Sequence, residues 1–366
     1  MLQVFFNDLH ALQSGWTFGT NSSEDLVATT HSHLLSGAFR PFSVLSAGQA
    51  PTTIHIHNCP ALTMLPESLG QLAWITMLGL SECSMLAGLP ESLGTLRALT
   101  ALHIDNCFAI TELPESLGQL AFLTTLCLTN CDRLTRLPDS LSALTTLVTL
   151  TLHQCTALTA LPVLRGQLQK LLLPFCCALT AVPELHVVPA LASLDLCCCE
   201  LLTRLPESLG GLAMLRYLDL HTCRSLTRLP DSFGQLASLV GLRMFCCHAL
   251  TQLPDSLGQL AALRRLEICL CPVLRGLPFS FVFLRDCFCD FSNNSQMVFP
   301  PRDVVARGPF AISAFAQTHR RMACILLLIL AAGSCSLPPE LWHAFRDDEL
   351  DTTTVLDPEK DFEYRM

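Results

Sequence analysis

Leu99-Thr100-Ala101-Leu102-His103-Ile104-Asp105-Asn106-Cys107, followed shortly by Leu113-Pro114-Glu115-Ser116-Leu117-Gly118-Gln119-Leu120, is the stretch whose reading decides the fold. Leu102 and Ile104 alternate with more polar neighbours, the period-two pattern of a half-buried strand. Ala101, His103 and Asp105 then face the opposite side from the leucines. Pro114 suits the first position of a helical turn, where its missing N–H costs nothing. Glu115 favours the same positive end. Leu117 and Leu120 turn inward, Gly118 permits a tight return, and Leu123 opens a fresh copy of the phrase.

The phrase recurs in both directions along the chain. Its prolines are Pro66, Pro90, Pro114, Pro138, Pro162, Pro183, Pro206, Pro230, Pro254 and Pro278. Seven residues ahead of each stands a cysteine: Cys59, Cys83, Cys107, Cys131, Cys155, Cys176, Cys199, Cys223, Cys247 and Cys271. Most intervals are 24 residues, and two, of 21 and 23, surround Pro183. A fixed period of this size means one small unit stacked on copies of itself. Such a stack offers a long surface and, as a rule, no catalytic pocket. The block from Pro162 to Pro183 lacks the acid–serine pair, so a tightened turn is expected there, with Leu171 and Leu173 still inward.

These residues match the leucine-rich repeat pattern L-x-x-L-x-L-x-x-N/C-x-L. More closely, they resemble the cysteine-containing repeats of plant disease-resistance-type and intracellular leucine-rich repeat proteins. Those join an L-x-x-C-x-x-L strand half to an L-P-x-S-L-G-x-L half, seen here in Leu65-Pro66-Glu67-Ser68-Leu69-Gly70 and Leu205-Pro206-Glu207-Ser208-Leu209-Gly210. The resemblance covers roughly residues 51 to 290. It implies an α/β solenoid, a right-handed horseshoe of about ten 24-residue repeats with a parallel sheet on the concave face. It implies protein binding in signalling or recognition, and leaves the partner open, because the fold hosts many functions. Resistance proteins carry a nucleotide-binding module, yet this sequence contains no G-x-x-x-x-G-K-[ST] loop and no kinase signature set.

Composition points the same way. Of 366 residues, 51% are hydrophobic and 14% charged, and the apolar excess is mainly leucine on the repeat period. A net charge of −9 argues against nucleic acid as a partner. It also argues against an anionic membrane surface. The start, from Met1 to Asp8, has no basic segment and meets an acid early, unlike a signal peptide. Twenty cysteines in a chain of this length are read as reduced thiols, placing the protein in the cytoplasm. The oligomeric state is not legible.

Three segments are expected: residues 1–50 as an N-terminal segment or cap, partly flexible; 51–290 as the repeat domain; and 291–366 as a tail. The repeats are expected to end with Leu277-Pro278-Phe279-Ser280-Phe281-Val282-Phe283-Leu284, where Phe281 and Leu284 hold the inward leucine positions, and the half-repeat dissolves near Asn293-Asn294-Ser295. In the tail, the eleven-residue apolar run Met322 to Ala332 is too short for a membrane span and predicts a short helix over 322–335. The acidic end has the composition of a disordered segment. Leu337-Pro338-Pro339-Glu340-Leu341-Trp342 resembles the opening of an F-box-type helical motif, which in that family recruits a ubiquitin-ligase adaptor. It departs from the family by running into Arg346-Asp347-Asp348. The alternative function is therefore a substrate receptor of a ubiquitin ligase.

A linear cysteine column does not build a tetrahedral zinc site, and its thiols are expected to be buried weak donors. Cys197, Cys198, Cys246 and Cys269, with His221 between them, read as an ordinary or redox-sensitive thiol patch. The acids after each repeat proline lie in a one-sided column and lack the facing geometry of glycoside hydrolysis. Asp195, Asp219, Arg243 and Glu267 share one strand position in successive repeats, which fits either lateral pairing or a stripe for a basic partner. No catalytic residue, metal ligand or cofactor is predicted. The contact candidates are the outward strand residues: His103, Asp105 and His153 in the first half, then Asp195, Tyr217, Asp219, His221, Arg243, Phe245, Arg265 and Glu267. His55, His57 and Thr151 share the outward orientation. Tyr217, Arg243, Phe245 and Arg265 carry the hot-spot expectation, since aromatic and arginine residues dominate interfaces.

Overall fold

The computed structural model describes residues 17–20, 25–29, 40–41, 52–284 and 287–331. Two compact units are present, 1–317 and 318–366, and the repeats lie in the first. The Leu337–Trp342 motif and the acidic end lie outside the described residues.

Each repeat contributes one short strand: β4 (Thr53–His57), β5 (Met77–Ser81), β6 (Ala101–Asp105), β7 (Thr125–Thr129), β8 (Thr149–His153), β9 (Lys170–Leu172), β10 (Ser193–Asp195), β11 (Tyr217–Asp219), β12 (Gly241–Phe245), β13 (Arg265–Cys269) and β14 (Phe288–Asp290). They pair in parallel, each with its sequence neighbours. At the N-terminal side β2 (Asp25–Thr29) continues the parallel order beside β4, with Leu26 opposite Ile54. Two further strands, β1 (Thr17–Thr20) and β3 (Arg40–Pro41), add antiparallel to that edge.

One repeat shows why the sequence folds this way. Leu99, Leu102, Ile104, Cys107, Ile110, Leu113, Leu117 and Leu120 are all buried, so every apolar position of the phrase enters one continuous core. Asn106 adopts φ +54° and turns the chain out of the strand. Its N–H donates to the Thr129 carbonyl at 3.0 Å, carrying the ladder one residue past the strand. Such a left-handed residue precedes Cys59, Cys83, Cys131, Cys155 and their later counterparts as well. Asparagine tolerates that conformation best, and here the sheet imposes it on Leu270 and Phe175 too.

On the opposite side the chain makes single 3-10 turns such as Glu115–Gln119, closed by Leu117 N–H to the Pro114 carbonyl at 3.1 Å. The proline stands one position before the turn in extended conformation, φ −68° and ψ 146°, not at its first residue. The following acid also acts differently from expectation. Glu67 accepts from Ser92 N–H at 3.0 Å, Glu91 from Ser116 at 3.2 Å and Glu115 from Ser140 at 3.1 Å. Each acid thus caps the turn of the next repeat, which a reading of one repeat in isolation misses. The Ser140 N–H holds the Glu115 carboxyl below its ordinary range.

The irregular block behaves as its spacing predicts. Residues 161–165 and 182–185 form no 3-10 turn, while Leu171 and Leu173 are fully buried and β9 keeps register with β8 and β10.

The repeats do not stop near Asn293. Cys289 and Phe291 take the inward strand positions after β13, and Asn294 takes the cysteine position. Elsewhere the cysteine Sγ lies near a carbonyl of the preceding repeat's strand, as Cys271 does to Met244 at 3.6 Å. Asn294 does the same job with a stronger donor, giving Nδ2 to the Ile268 carbonyl at 2.6 Å and accepting from Cys271 N–H at 2.8 Å. After it come α1 (Arg302–Ala306) and α2 (Pro309–Ala331). Helix α2 begins well before the apolar run that predicted a helix over 322–335. Ile312 and Ala316 on it are buried, and Phe315 joins a ring cluster with Phe281, Phe291 and Phe299. Among the described residues no helix is long and apolar enough to cross a membrane.

Every described cysteine is free, and the ten of the repeat column are buried. Burial pushes the Cys176, Cys199 and Cys223 thiols up, the last to about 12. Since the thiolate is the reactive form, maleimide labelling of native protein at neutral pH should leave this column unmodified until denaturant is added. Half-exposed Cys127, Cys177, Cys197, Cys198 and Cys246 should react first. Rapid labelling of Cys107 or Cys131 in folded protein would contradict the packing.

Candidate protein-interaction face

Strand alternation sends positions one, three and five of each strand to the open face, and parallel pairing aligns them in columns. From β11 to β14 the first column runs Tyr217, Gly241, Arg265, Phe288. Gly241 is the reason Tyr217 lies flat: a Cβ there would stand 3.4 Å from Tyr217 Cδ1, so the ring covers the glycine. Tyr217 remains 52% exposed. The Arg265 guanidinium sits 5.8 Å from the Phe288 ring centre, and that of Arg243 lies 5.9 Å from the Phe245 ring. Such contacts favour an ordered guanidinium. The His221 ring packs against Phe245 at 5.3 Å.

The middle column runs Asp195, Asp219, Arg243, Glu267, Asp290. Arg243 bridges Asp219 and Glu267, each at 3.3 Å. Arg265 reaches the other Glu267 oxygen at 2.5 Å. Glu267 is only 5% exposed and is held by both guanidiniums. Lateral pairing therefore accounts for the mixed charge of this column. Four carboxylates face two guanidiniums, so the column keeps an acidic bias at its Asp195 and Asp290 ends.

Those end carboxylates also shape the backbone. Asp195, Asp219 and Asp290 each accept from the N–H two residues on, at Cys197 (2.9 Å), His221 (2.9 Å) and Ser292 (3.0 Å). This local bond turns the chain just beyond the three-residue strands. Burial raises the Asp195 carboxyl, against the Cys197 N–H that lowers it and with Asp219 adding to the rise.

In the first half the face has a different chemistry. His55 and His103 flank Gly79, where a Cβ would meet His55 Nδ1 at 2.4 Å, so the imidazole leans into the gap. Burial lowers the pKa of His103, and His55 adds to the effect. Asp105 accepts from Asn106 Nδ2 at 3.0 Å, and His153 packs edge-on against Phe175. His57 bonds Ser81 Oγ at 2.9 Å.

The structure thus gathers Tyr217, Asp219, His221, Arg243, Phe245, Arg265 and Glu267 into one patch with Asp195 at its border. His103, Asp105 and His153 stand apart on β6 and β8. Sequence reading passed over Phe288 and Asp290, which belong to the patch. The alternation Phe288-Cys289-Asp290-Phe291 with Asn294 three residues on was the available signal. Among the described residues no group of three or more His, Cys, Asp or Glu side chains can hold a metal ion.

The family model described as Leucine Rich Repeat matches residues 190–212 and 214–236. Among solved structures, the chain is similar to the leucine-rich repeat domain of the type III effector XopL, at 21% identity, covering 66% of this chain and 77% of that one with a TM-score of 0.46. It is also similar to a leucine-rich repeat protein of Leptospira interrogans, at 21% identity over 70% and 87% of the two chains with a TM-score of 0.30. A TDR receptor structure shares 18% identity over 66% and 43%, with a TM-score of 0.42. No curated protein matches. The matched repeats contain β10 and β11, and the strand, buried cysteine or asparagine and following turn recur on both sides of them. The chain folds as a leucine-rich repeat solenoid.

Proposed function

We propose that the chain is a non-catalytic binding module that holds a protein partner on the concave face of its C-terminal repeats. One observation carries this reading: Tyr217, Arg243, Phe245, Arg265 and Phe288 stand side by side on β11–β14, with both guanidiniums already paired. Ordering such side chains at an interface costs about 0.5–1.5 kcal/mol each when they start mobile. Here the ion pairs and ring contacts hold them before the partner arrives. The acidic borders at Asp195 and Asp290 favour a partner with basic flanks, and they act on association rate and specificity more than on affinity. An intracellular, reducing setting goes with this reading.

The test is partner capture by the full chain, then a titration against the identified partner. Tyr217→Ala with Phe245→Ala should weaken binding at least tenfold, which is ~1.4 kcal/mol. Neither side chain belongs to the buried leucine set, so circular dichroism should be unchanged. Undiminished affinity in a folded double variant would place the partner elsewhere.

A further inference from the structure

Cys197 and Cys198 are neighbours in sequence with their Sγ atoms 3.5 Å apart, and both are half-exposed. Successive side chains of an extended strand point to opposite faces. Here the chain leaves β10, Cys198 takes φ +60°, and both thiols come together. The turn is pinned on each residue. Cys197 N–H donates to Asp195 Oδ1 at 2.9 Å, and Cys198 N–H to the His221 carbonyl at 2.6 Å. In every other adjacent cysteine pair among the described residues, one member is buried in the repeat column.

Two outcomes are open to such a pair. A disulfide requires the sulfurs to close to ~2.05 Å between residues whose Cα atoms are ~3.8 Å apart, short of the ~4.4–6.8 Å such bonds span. A shared soft atom requires far less movement. With bonds of ~2.3 Å to each sulfur, a 3.5 Å separation corresponds to an angle of about 100° at the bridging atom. No third His, Cys, Asp or Glu joins the pair as a metal-holding group among the described residues. Four-coordinate zinc would therefore be poorly served. A pyramidal trivalent metalloid that brings its own third substituent fits two soft thiolate donors.

We propose that Cys197 and Cys198 form a dithiol site for trivalent metalloids of the arsenic(III) class. With a hydrated organoarsenous compound, two As–S bonds form and two As–O bonds break. Each thiol proton leaves with a hydroxyl as water, and arsenic stays trivalent. Burial, Cys198 and the carboxylates Asp219 and Asp195 hold the Cys197 thiol above its ordinary range. Transfer of its proton to the departing hydroxyl is thus part of bond formation.

Phenylarsine oxide added to the native full chain is the probe, read by intact mass and peptide mapping. One equivalent should bind first, bridging Cys197 and Cys198. It should survive excess glutathione and be removed by 1,2-ethanedithiol. Cys197→Ser and Cys198→Ser should each weaken binding by at least a hundredfold, while Cys177→Ser and Cys246→Ser leave it intact. A first equivalent mapped to other cysteines in the wild-type chain would overturn the proposal, whatever the variants do. So would unchanged binding in Cys197→Ser and Cys198→Ser, or several equivalents taken up together by folded protein.

Discussion

Gly118→Val should cost about 3 kcal/mol or more of stability, because the added side chain has no room between two repeats. A Cβ at Gly118 would lie 2.5 Å from the Ser140 carbonyl oxygen and 2.6 Å from Ser140 Cβ. The obstacle is the backbone of the next turn, which cannot swing away as a side-chain tip could. Gly70, Gly94, Gly210, Gly234 and Gly258 meet the following serine in the same way. The chain itself contains the informative exception. Ser142 occupies this position, and the repeat after it, around Leu164, makes no 3-10 turn. Urea unfolding monitored by circular dichroism checks the expectation, with Gly211→Ala as control, since nothing lies within 4 Å of its added Cβ. Equal midpoints for Gly118→Val and wild type would show that the turns are not stacked this closely.

Phe281→Ala should be comparably damaging, at ~3–5 kcal/mol. Phe281 is fully buried, with ring centres of Phe299, Phe291 and Phe315 at 5.6, 6.2 and 6.4 Å. It stands at an inward leucine position of the tenth phrase, and its ring reaches both the next repeat and the start of α2. Truncating it opens a cavity where the core must be closed against water. Chemical denaturation would measure the loss. Stability within ~1 kcal/mol of wild type would mean that this ring cluster does not seal the stack. The same packing means that a chain cut at Gln296 loses Phe299, Val304, Ile312 and Phe315, which are packed on the core or buried in it. A shortened protein meant to isolate the repeats should keep them.

What could be read from the amino acids, and what could not, follows from where the controlling interactions lie. Strand, cysteine and proline positions were legible because each repeat states them afresh, and inward Leu102 and Ile104 need only alternation to be recognised. The eleventh copy was hidden because Cys289, Phe291 and Asn294 stand where leucine, leucine and cysteine were sought. Asparagine nevertheless serves the ladder better than the thiol it replaces. The role of Glu91 was illegible for another reason: its partner, Ser116 N–H, is 25 residues away and close only because the repeats stack. Likewise, alternation places Tyr217 and Arg265 on the open face, but Tyr217 lying over Gly241 and two arginines closing on Glu267 are properties of neighbouring strands together.

The missing turns near Pro162 and Pro183 have a consequence for how the molecule comes apart. Along most of the chain, neighbouring repeats are joined twice, by the strand ladder and by the stacked turns on the other side. Between Asp139–Ala143 and Glu207–Gly211 the stack of 3-10 turns is interrupted, and on that side the repeats are joined by scattered bonds such as Gln167 N–H to the Thr145 carbonyl at 3.1 Å and Leu185 N–H to Ser208 Oγ at 2.9 Å. In a quasi-one-dimensional array each unit feels only its neighbours. Melting that enters from one end is therefore expected to meet a fault line here, where the stacked turns are missing. The C-terminal block, with its aromatic and arginine patch, can keep its structure after the first half has let go.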